Sequence, residues 1–238
     1  MSSFKFEEER TVTTLPDRIA GSRAVRPRHA ATLILVRRDS QKPRILLGRR
    51  HGGHSFMPDK WVFPGGRVDR CDFHAPYASD LRPEVAEKLH LTAPLARARA
   101  LGMAAIRETF EEAGLLLARP APVRSATGPW REFLVQGAQA DLAALSFVAR
   151  AITPPSVPKR FDARFFMAEA ERLVSLERQA DCGELDEIAW FTLKDAQDLD
   201  LPIVTRFVLR EMEQRLEHPA RPIPFMRFMY GTSQLTHL

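Results

Sequence analysis

The sequence predicts an α+β fold, and three observations carry that prediction. Short apolar, partly β-branched runs mark strands, and longer segments with apolar residues at helical period mark helices. The two kinds of segment follow no regular strand–helix alternation, which argues for a mixed sheet layered with helices over a doubly wound parallel one. At 238 residues, with 45% hydrophobic and 27% charged, the chain has material for one substantial core.

Taken in order, residues 1–27 are polar with scattered apolar positions and form an N-terminal arm, extended or a short edge strand. Ala30 to Val36 reads as a buried strand, Asp39 to Pro43 as a turn, and Arg44 to Arg50 as the returning strand. His51 to Lys60 carries Gly52, Gly53 and Pro58 and is a loop. Trp61-Val62-Phe63 is a short strand running into Pro64-Gly65-Gly66. A short helix opens at Pro83, with Glu84 to Leu91 as its body, and a longer one spans about Leu95 to Ala113. Leu115 to Leu117 is expected to start a strand, and residues 130–150 are expected to be helical with Phe133, Leu134, Leu142, Leu145 and Phe147 in the core. Residues 152–159 are a proline-rich loop, and Arg164 to Ala168 is a strand. Residues 169–180 are a helix, an irregular stretch or a strand. Glu184 to Phe191 precedes a turn, and Leu193 to Leu199 begins a helix. Ile203 to Leu216 is strongly patterned as a helix. The tail, 218–238, is rich in Pro and Met and is expected to pack late or to swap between subunits, so a homodimer is one expectation.

Composition narrows the function. No run approaches the roughly 18 apolar residues of a membrane span, and Met1 to Arg10 lacks the apolar centre of a signal peptide. Cys71 and Cys182 are the only cysteines, too few for a disulfide scaffold or a cysteine zinc site, and a reducing cytoplasmic location is expected. The net charge of +5 and a pI near 9.6 suit an anionic partner. The basic residues are scattered apart from Arg23 to Arg28 and Arg49-Arg50-His51, with no aromatic-interleaved stripe. A small phosphate-bearing molecule fits that balance better than nucleic acid.

The chemistry concentrates in Arg107-Glu108-Thr109-Phe110-Glu111-Glu112-Ala113-Gly114-Leu115. On a helix, Glu108, Glu111 and Glu112 stand at i, i+3 and i+4 and share one face. Such a cluster weakens a helix unless a cation sits among the carboxylates, and hard oxygen ligands of this kind suit Mg²⁺. A merely solvated acidic face has the same composition. Arg107, four residues before Glu111, can hold that carboxylate, and Gly114 stops the helix.

Gly66, Asp72 and Arg107-Glu108-x-x-Glu111-Glu112-x-Gly114-Leu115 together resemble the Nudix box, Gly-x5-Glu-x7-Arg-Glu-U-x-Glu-Glu-x-Gly-U, where U is apolar. Asp72 stands where the box has its first Glu, with Asp69 at another commonly acidic site. The spacer from Asp72 to Arg107 holds 34 residues in place of seven, and Thr109 replaces an apolar residue. Loop closure costs only about 0.6 kcal/mol per doubling of length, so the insertion, about 73–99, is physically tolerable. The segments from Phe56 to Asp69, from Ile152 to Pro155 and from Arg160 to Phe166 are similar to the split-box branch that includes the peroxisomal coenzyme A diphosphatase.

The resemblance implies a mixed sheet sandwiched between helices over residues 28–217, with a helical insertion inside the box. It implies hydrolysis of a nucleoside diphosphate linked to a second group, with coenzyme A or its acyl esters leading and ADP-ribose, NADH or another nucleotide as rivals. A non-catalytic nucleotide sensor is the reading from another class. Glu108, Glu111 and Glu112, with the Gly65 carbonyl, are the expected ligands of Mg²⁺ or Mn²⁺, and Arg107 orients the carboxylates. Glu184, with Glu187 behind it, is the late-loop candidate for general base. Arg49, Arg50, Phe63 and Gly66 form the expected substrate-contacting set. The insertion is expected either to shape the pocket for the bulky part of the substrate or to serve packing.

Overall fold

The computed structural model describes residues 25–53, 58–124, 127–178, 185–229 and 232–238. Strand β1 (Arg28–Arg37) is central and is flanked by β2 (Arg44–Arg50). Two short strands, β3 (Trp61–Val62) and β4 (Gly65–Arg67), pair antiparallel with β2 and β1 respectively. The insertion adds β5 (Tyr77–Ser79) and α1 (Pro83–His90), after which α2 (Leu95–Ala113) runs along one face of the sheet. Next come β6 (Ala118–Pro120), the single turn α3 (Arg131–Leu134) and β7 (Ala138–Asp141). Strands β8 (Ser146–Ile152), β9 (Phe161–Glu169) and β10 (Leu185–Thr192) return to the main sheet. Helices α4 (Leu193–Gln197) and α5 (Ile203–Glu217) follow, then β11 (Pro224–Met229) and β12 (Thr232–His237).

The main sheet runs β10-β2-β1-β9-β8-β11-β12, and a small second sheet runs β5-β7-β6. It is mixed: β1 pairs parallel with β9 and antiparallel with β2 and β4. Period-two alternation along β1 divides the core. Ala31, Leu33 and Leu35 face the layer of α1, α2 and α3, while Ile34 and Val36 face α4 and α5. The result is an α/β/α sandwich with two apolar layers.

Helix α2 matches its expected span, and Gly114 ends it at φ 67°, a left-handed conformation that costs glycine little. Two expectations fail. Leu115 to Leu117 are buried outside any strand, the Leu116 and Leu117 carbonyls accepting from the Val174 and Asp141 N–H groups, and the strand starts at Ala118. Residues 130–150 hold two short helical turns, Arg131–Leu134 and the 3-10 turn Leu142–Ala144, and two strands, not a continuous helix. Gly137 lies at φ 67° and turns the chain so that β7 can pair with β5 and β6, and β8 with β9. The tail folds back within the chain: β11 pairs parallel with β8, and the Arg150 guanidinium lies 4.3 Å from the Phe225 ring centroid. The insertion is built into the core through Leu81, Val85 and Leu89.

Beneath β1 a buried ion network ties three elements. Asp162 accepts from Arg150 Nε at 2.8 Å and pairs with fully buried Arg164 at 2.8 Å, and Arg164 also reaches His29 Nδ1 at 3.2 Å. Burial works to raise the Asp162 pKa, but the Arg150 and Arg164 guanidiniums outweigh it and hold the carboxyl below its usual 3.8. A depressed folded-state pKa contributes stability above the unfolded value and loses it as pH falls through the folded one. Asp162→Asn should therefore melt several degrees below wild type at neutral pH, and the gap should narrow in melting scans taken below about pH 4.

Candidate active site

The candidate site forms where α2 meets the Gly65–Gly66 segment of β4. Helical spacing brings Glu108, Glu111 and Glu112 onto one side of the last two turns. The Arg107 guanidinium lies among them. Its Nη1 donates to Glu108 Oε1 at 2.9 Å and to Glu111 Oε2 at 2.8 Å. Nε donates to Asp72 Oδ1 at 2.8 Å, and Nη2 donates to Asp72 Oδ2 at 3.1 Å and the Arg67 carbonyl at 3.2 Å. A planar fork with fixed donors suits this arrangement, which an ammonium could not reproduce.

Asp72 is 2% exposed and closes the turn Arg70–Phe73, where it and Asp69 form a reciprocal capping box. It also accepts from Trp130 Nε1 at 2.9 Å. No local pattern in the sequence marks Trp130 as a partner of Asp72. It lies 58 residues from Asp72, and its only local signal is an indole next to an apolar helical turn.

Glu112 is buried, and its Oε2 accepts from the Gly65 N–H at 2.8 Å. Both box glycines are needed for close approach. A Cβ on Gly66 would overlap the Glu108 carboxylate, whereas one on Gly65 would come within 2.6 Å of the Ala31 carbonyl oxygen and 2.7 Å of Thr32 Cα. The two positions should therefore respond differently. Gly65→Ala forces β4 off the β1 backbone and should cost about 1–3 kcal/mol in denaturant unfolding. Gly66→Ala needs only a flexible carboxylate to move and should unfold closer to wild type.

Burial pushes the Glu111 carboxyl up to about 7, with Arg107 opposing and Glu108 adding to the rise. Three carboxylates, Asp72, Glu108 and Glu111, thus face one guanidinium, with Glu112 beside them on the Gly65 N–H. That excess of hard oxygen donors fits a divalent cation. Among the described residues, however, no group of three or more His, Cys, Asp or Glu is arranged so as to hold a metal ion. Arg107 and the Gly65 N–H hold the carboxylates in this arrangement through Glu108 Oε1, Glu111 Oε2 and Glu112 Oε2.

The other expected residues fall in different places. Arg49 and Arg50 end β2, and Arg49 pairs with Glu187 of β10 at 3.6 Å. Phe63 is a correction. It is 4% exposed and packs in the apolar layer with Trp61, Val208 and Met212, on the sheet face opposite α2, so its ring has no access to a ligand at the carboxylates. His51 is engaged locally, its Nδ1 accepting from the Gly53 N–H at 2.9 Å. Glu184 lies outside the described residues, as does His54. The Cys71 thiol is pushed up to about 12 by burial and by the Asp69 and Asp72 carboxylates, which keeps it protonated and unreactive.

Comparisons with known proteins fit this geometry. The profile of the NUDIX domain matches residues 27–212. "Putative nudix hydrolase 7" of Caenorhabditis elegans is 28% identical over 185 residues, 72% of this chain and 53% of that protein. "Acyl-coenzyme A diphosphatase NUDT19" of Gallus gallus is 35% identical over 107 residues, 36% of this chain and 28% of that protein. The matches therefore span about half the length of one curated relative and little over a quarter of the other. Among solved structures, a NUDIX hydrolase from Alicyclobacillus acidocaldarius superposes with a TM-score of 0.60 at 27% identity, covering 78% of this chain and 90% of that one. The glycine segment set against a guanidinium-spanned carboxylate helix, on a sandwich of this topology, agrees with that profile over most of its length: the chain belongs to the NUDIX domain family.

Proposed function

We propose that the chain is a metal-dependent hydrolase of a nucleoside diphosphate linked to a second group, with coenzyme A and its acyl esters as the substrate. The observation that carries the reaction class is the acidic end of α2 closing on Gly65 and Gly66, with Arg107 inside it. The substrate reading rests on the likeness to the acyl-coenzyme A diphosphatase of Gallus gallus.

In this reading Glu108, Glu111 and Glu112, with the Gly65 carbonyl, hold Mg²⁺ or Mn²⁺. A bound ion of this kind neutralises diphosphate charge and lowers the pKa of an attacking water. Arg107 is a positioning residue. Anchored by Asp72, it keeps Glu108 and Glu111 from repelling each other into disorder before the ion arrives. Gly66, with no side chain, leaves the Glu108 carboxylate room beside the loop. Arg49 and Arg50 remain candidates for the anionic part of the substrate, and Glu184 remains the candidate base.

The test is product analysis with Mg²⁺ and with Mn²⁺, offering coenzyme A, ADP-ribose, NADH and a nucleoside triphosphate side by side. The expected result is release of 3′,5′-ADP from coenzyme A at the highest kcat/KM. Faster cleavage of ADP-ribose or NADH would overturn the substrate assignment. Cleavage of nothing would put a nucleotide-binding sensor in its place.

A further inference from the structure

Beside the carboxylates lies a second feature that the reaction leaves unused. A cavity of about 650 Å³ opens between the start of β1, the segment after β4 and the first turns of α2. Arg26, Arg28, Arg67, Arg70 and Arg97 line it together with His29. Its volume is that of a small-ligand pocket. The five guanidiniums face a single carboxylate, Asp69. The backbone N–H of Cys71 leads in holding the Asp69 pKa low, so Asp69 stays ionised. Arg67 approaches Asp69 only to 3.9 Å. Among the described residues Arg26, Arg28, Arg70 and Arg97 have no carboxylate partner, unlike Arg82 and Arg99 nearby in the insertion and α2, which pair with Glu84 and Asp80.

The wall behind the cavity is an ion network in which Arg150 and Arg164 outnumber the one carboxylate, Asp162. His29 Nδ1 faces Arg164 Nη1 at 3.2 Å. A guanidinium has no acceptor, so that ring nitrogen accepts and the ring proton sits on Nε2. Arg164 itself is fully buried. Like charges gathered this closely oppose one another, and an oxyanion with several acceptor oxygens relieves that repulsion while taking forked hydrogen bonds. At the rim Phe73 is 43% exposed and offers an aromatic face beside the guanidiniums.

The cavity also has a direction. Arg67 directly follows Gly66, at which the Glu108 carboxylate rests. Arg97 lies eleven residues before Glu108, about 16 Å along the helix axis. One ligand can therefore reach from the carboxylates into the arginine cavity. A cavity of this size suits a nucleotide.

We propose that this cavity binds a phosphate carried on the ribose of the nucleotide, separate from the diphosphate at the carboxylates, with the Phe73 ring covering the base. The site selects ribose-phosphorylated nucleotides over their unphosphorylated counterparts. It rests on the reading of the carboxylate site as one for a nucleoside diphosphate, and it is tested by a measurement that needs neither metal nor turnover.

The experiment is titration calorimetry of the whole chain in chelator, with adenosine 3′,5′-bisphosphate, adenosine 2′,5′-bisphosphate and 5′-AMP. At least one bisphosphate should bind about tenfold or more tightly than 5′-AMP, the effect of one or two charge-assisted hydrogen bonds. The ratio of the two isomers assigns the phosphate to the 3′ or the 2′ oxygen. Arg70→Gln/Arg97→Gln should bring the bisphosphates and 5′-AMP level. Arg70→Gln alone, at an exposed position, should remove part of the difference if the double variant melts early. Arg38→Gln, beyond the other end of β1 and paired with Glu169, should keep it. Equal binding of all three nucleotides by wild type overturns the proposal, as does a preference that survives the double variant. A retained preference in a chain that hydrolyses nothing would support this cavity and sink the hydrolase reading. Hydrolysis of coenzyme A without the preference would do the reverse.

Discussion

Glu112→Gln is expected to lower kcat/KM for diphosphate hydrolysis by about 10²–10³-fold, the scale of losing one preorganised electrostatic group at a reacting centre. The fold should survive. Glu112 accepts from the Gly65 N–H through Oε2, and the amide oxygen of Gln can take that bond in nearly the same shape. What the variant loses is charge. Arg107 already engages Glu108 and Glu111, and Glu112 is the buried carboxylate tied instead to the glycine segment. A melting temperature within about 2 °C of wild type, with turnover gone, would separate this role from a structural one. Turnover near wild type would remove Glu112 from the metal-holding set and with it the role assigned to the acidic face of α2.

The parts that were legible in the sequence are those whose determinants are local. Helix α2 shows itself by its period, and Gly114 marks its end because only a left-handed residue finishes it cheaply. The Arg107–Glu111 pair follows from a spacing of four, and it is present at 2.8 Å. Other features depend on partners remote in sequence. Phe133, Leu134, Leu142, Leu145 and Phe147 are buried as expected, but β7 and β8 are held by strands whose pairing no local pattern reveals. Gly137 was the available signal against a continuous helix there. Phe63 is apolar beside the box, which in sequence suits a ligand contact and a core residue equally, and just past the short strand it turns to the same apolar layer as Trp61. The arginine cavity joins residues 26–28, 67–70 and 97, three stretches that each look like ordinary surface charge alone. Asp72 was visible as the acid opening the box, but not its bond to Trp130.

That bond makes Asp72 the position with the largest expected effect on stability. Its Oδ1 accepts from Arg107 Nε and from Trp130 Nε1, and its Oδ2 accepts from Arg107 Nη2 and from the Asp69 N–H. Each oxygen thus faces two N–H donors. Asp72→Asn preserves volume but turns one of those oxygens into an NH₂ aimed at two N–H groups, and it leaves the nearly buried Arg107 without its most buried counter-charge. Whichever way the amide is placed, one pair of donors is left facing a donor. Breaking a buried pair in this way costs about 3–5 kcal/mol, because the remaining charge stays desolvated. For a chain of this length that should lower the melting temperature by roughly 10 °C. Trp130→Phe removes only one neutral donor and should cost far less, about 1–2 kcal/mol. The Asn variant should also lose activity at temperatures where it remains folded, since Arg107 positions Glu108 and Glu111 only while Asp72 fixes its far side. An Asn variant that melts with wild type would show that Arg107 is held by Glu108 and Glu111 alone. The capping box at Asp69 and Asp72 would then account for the acid at the start of the insertion.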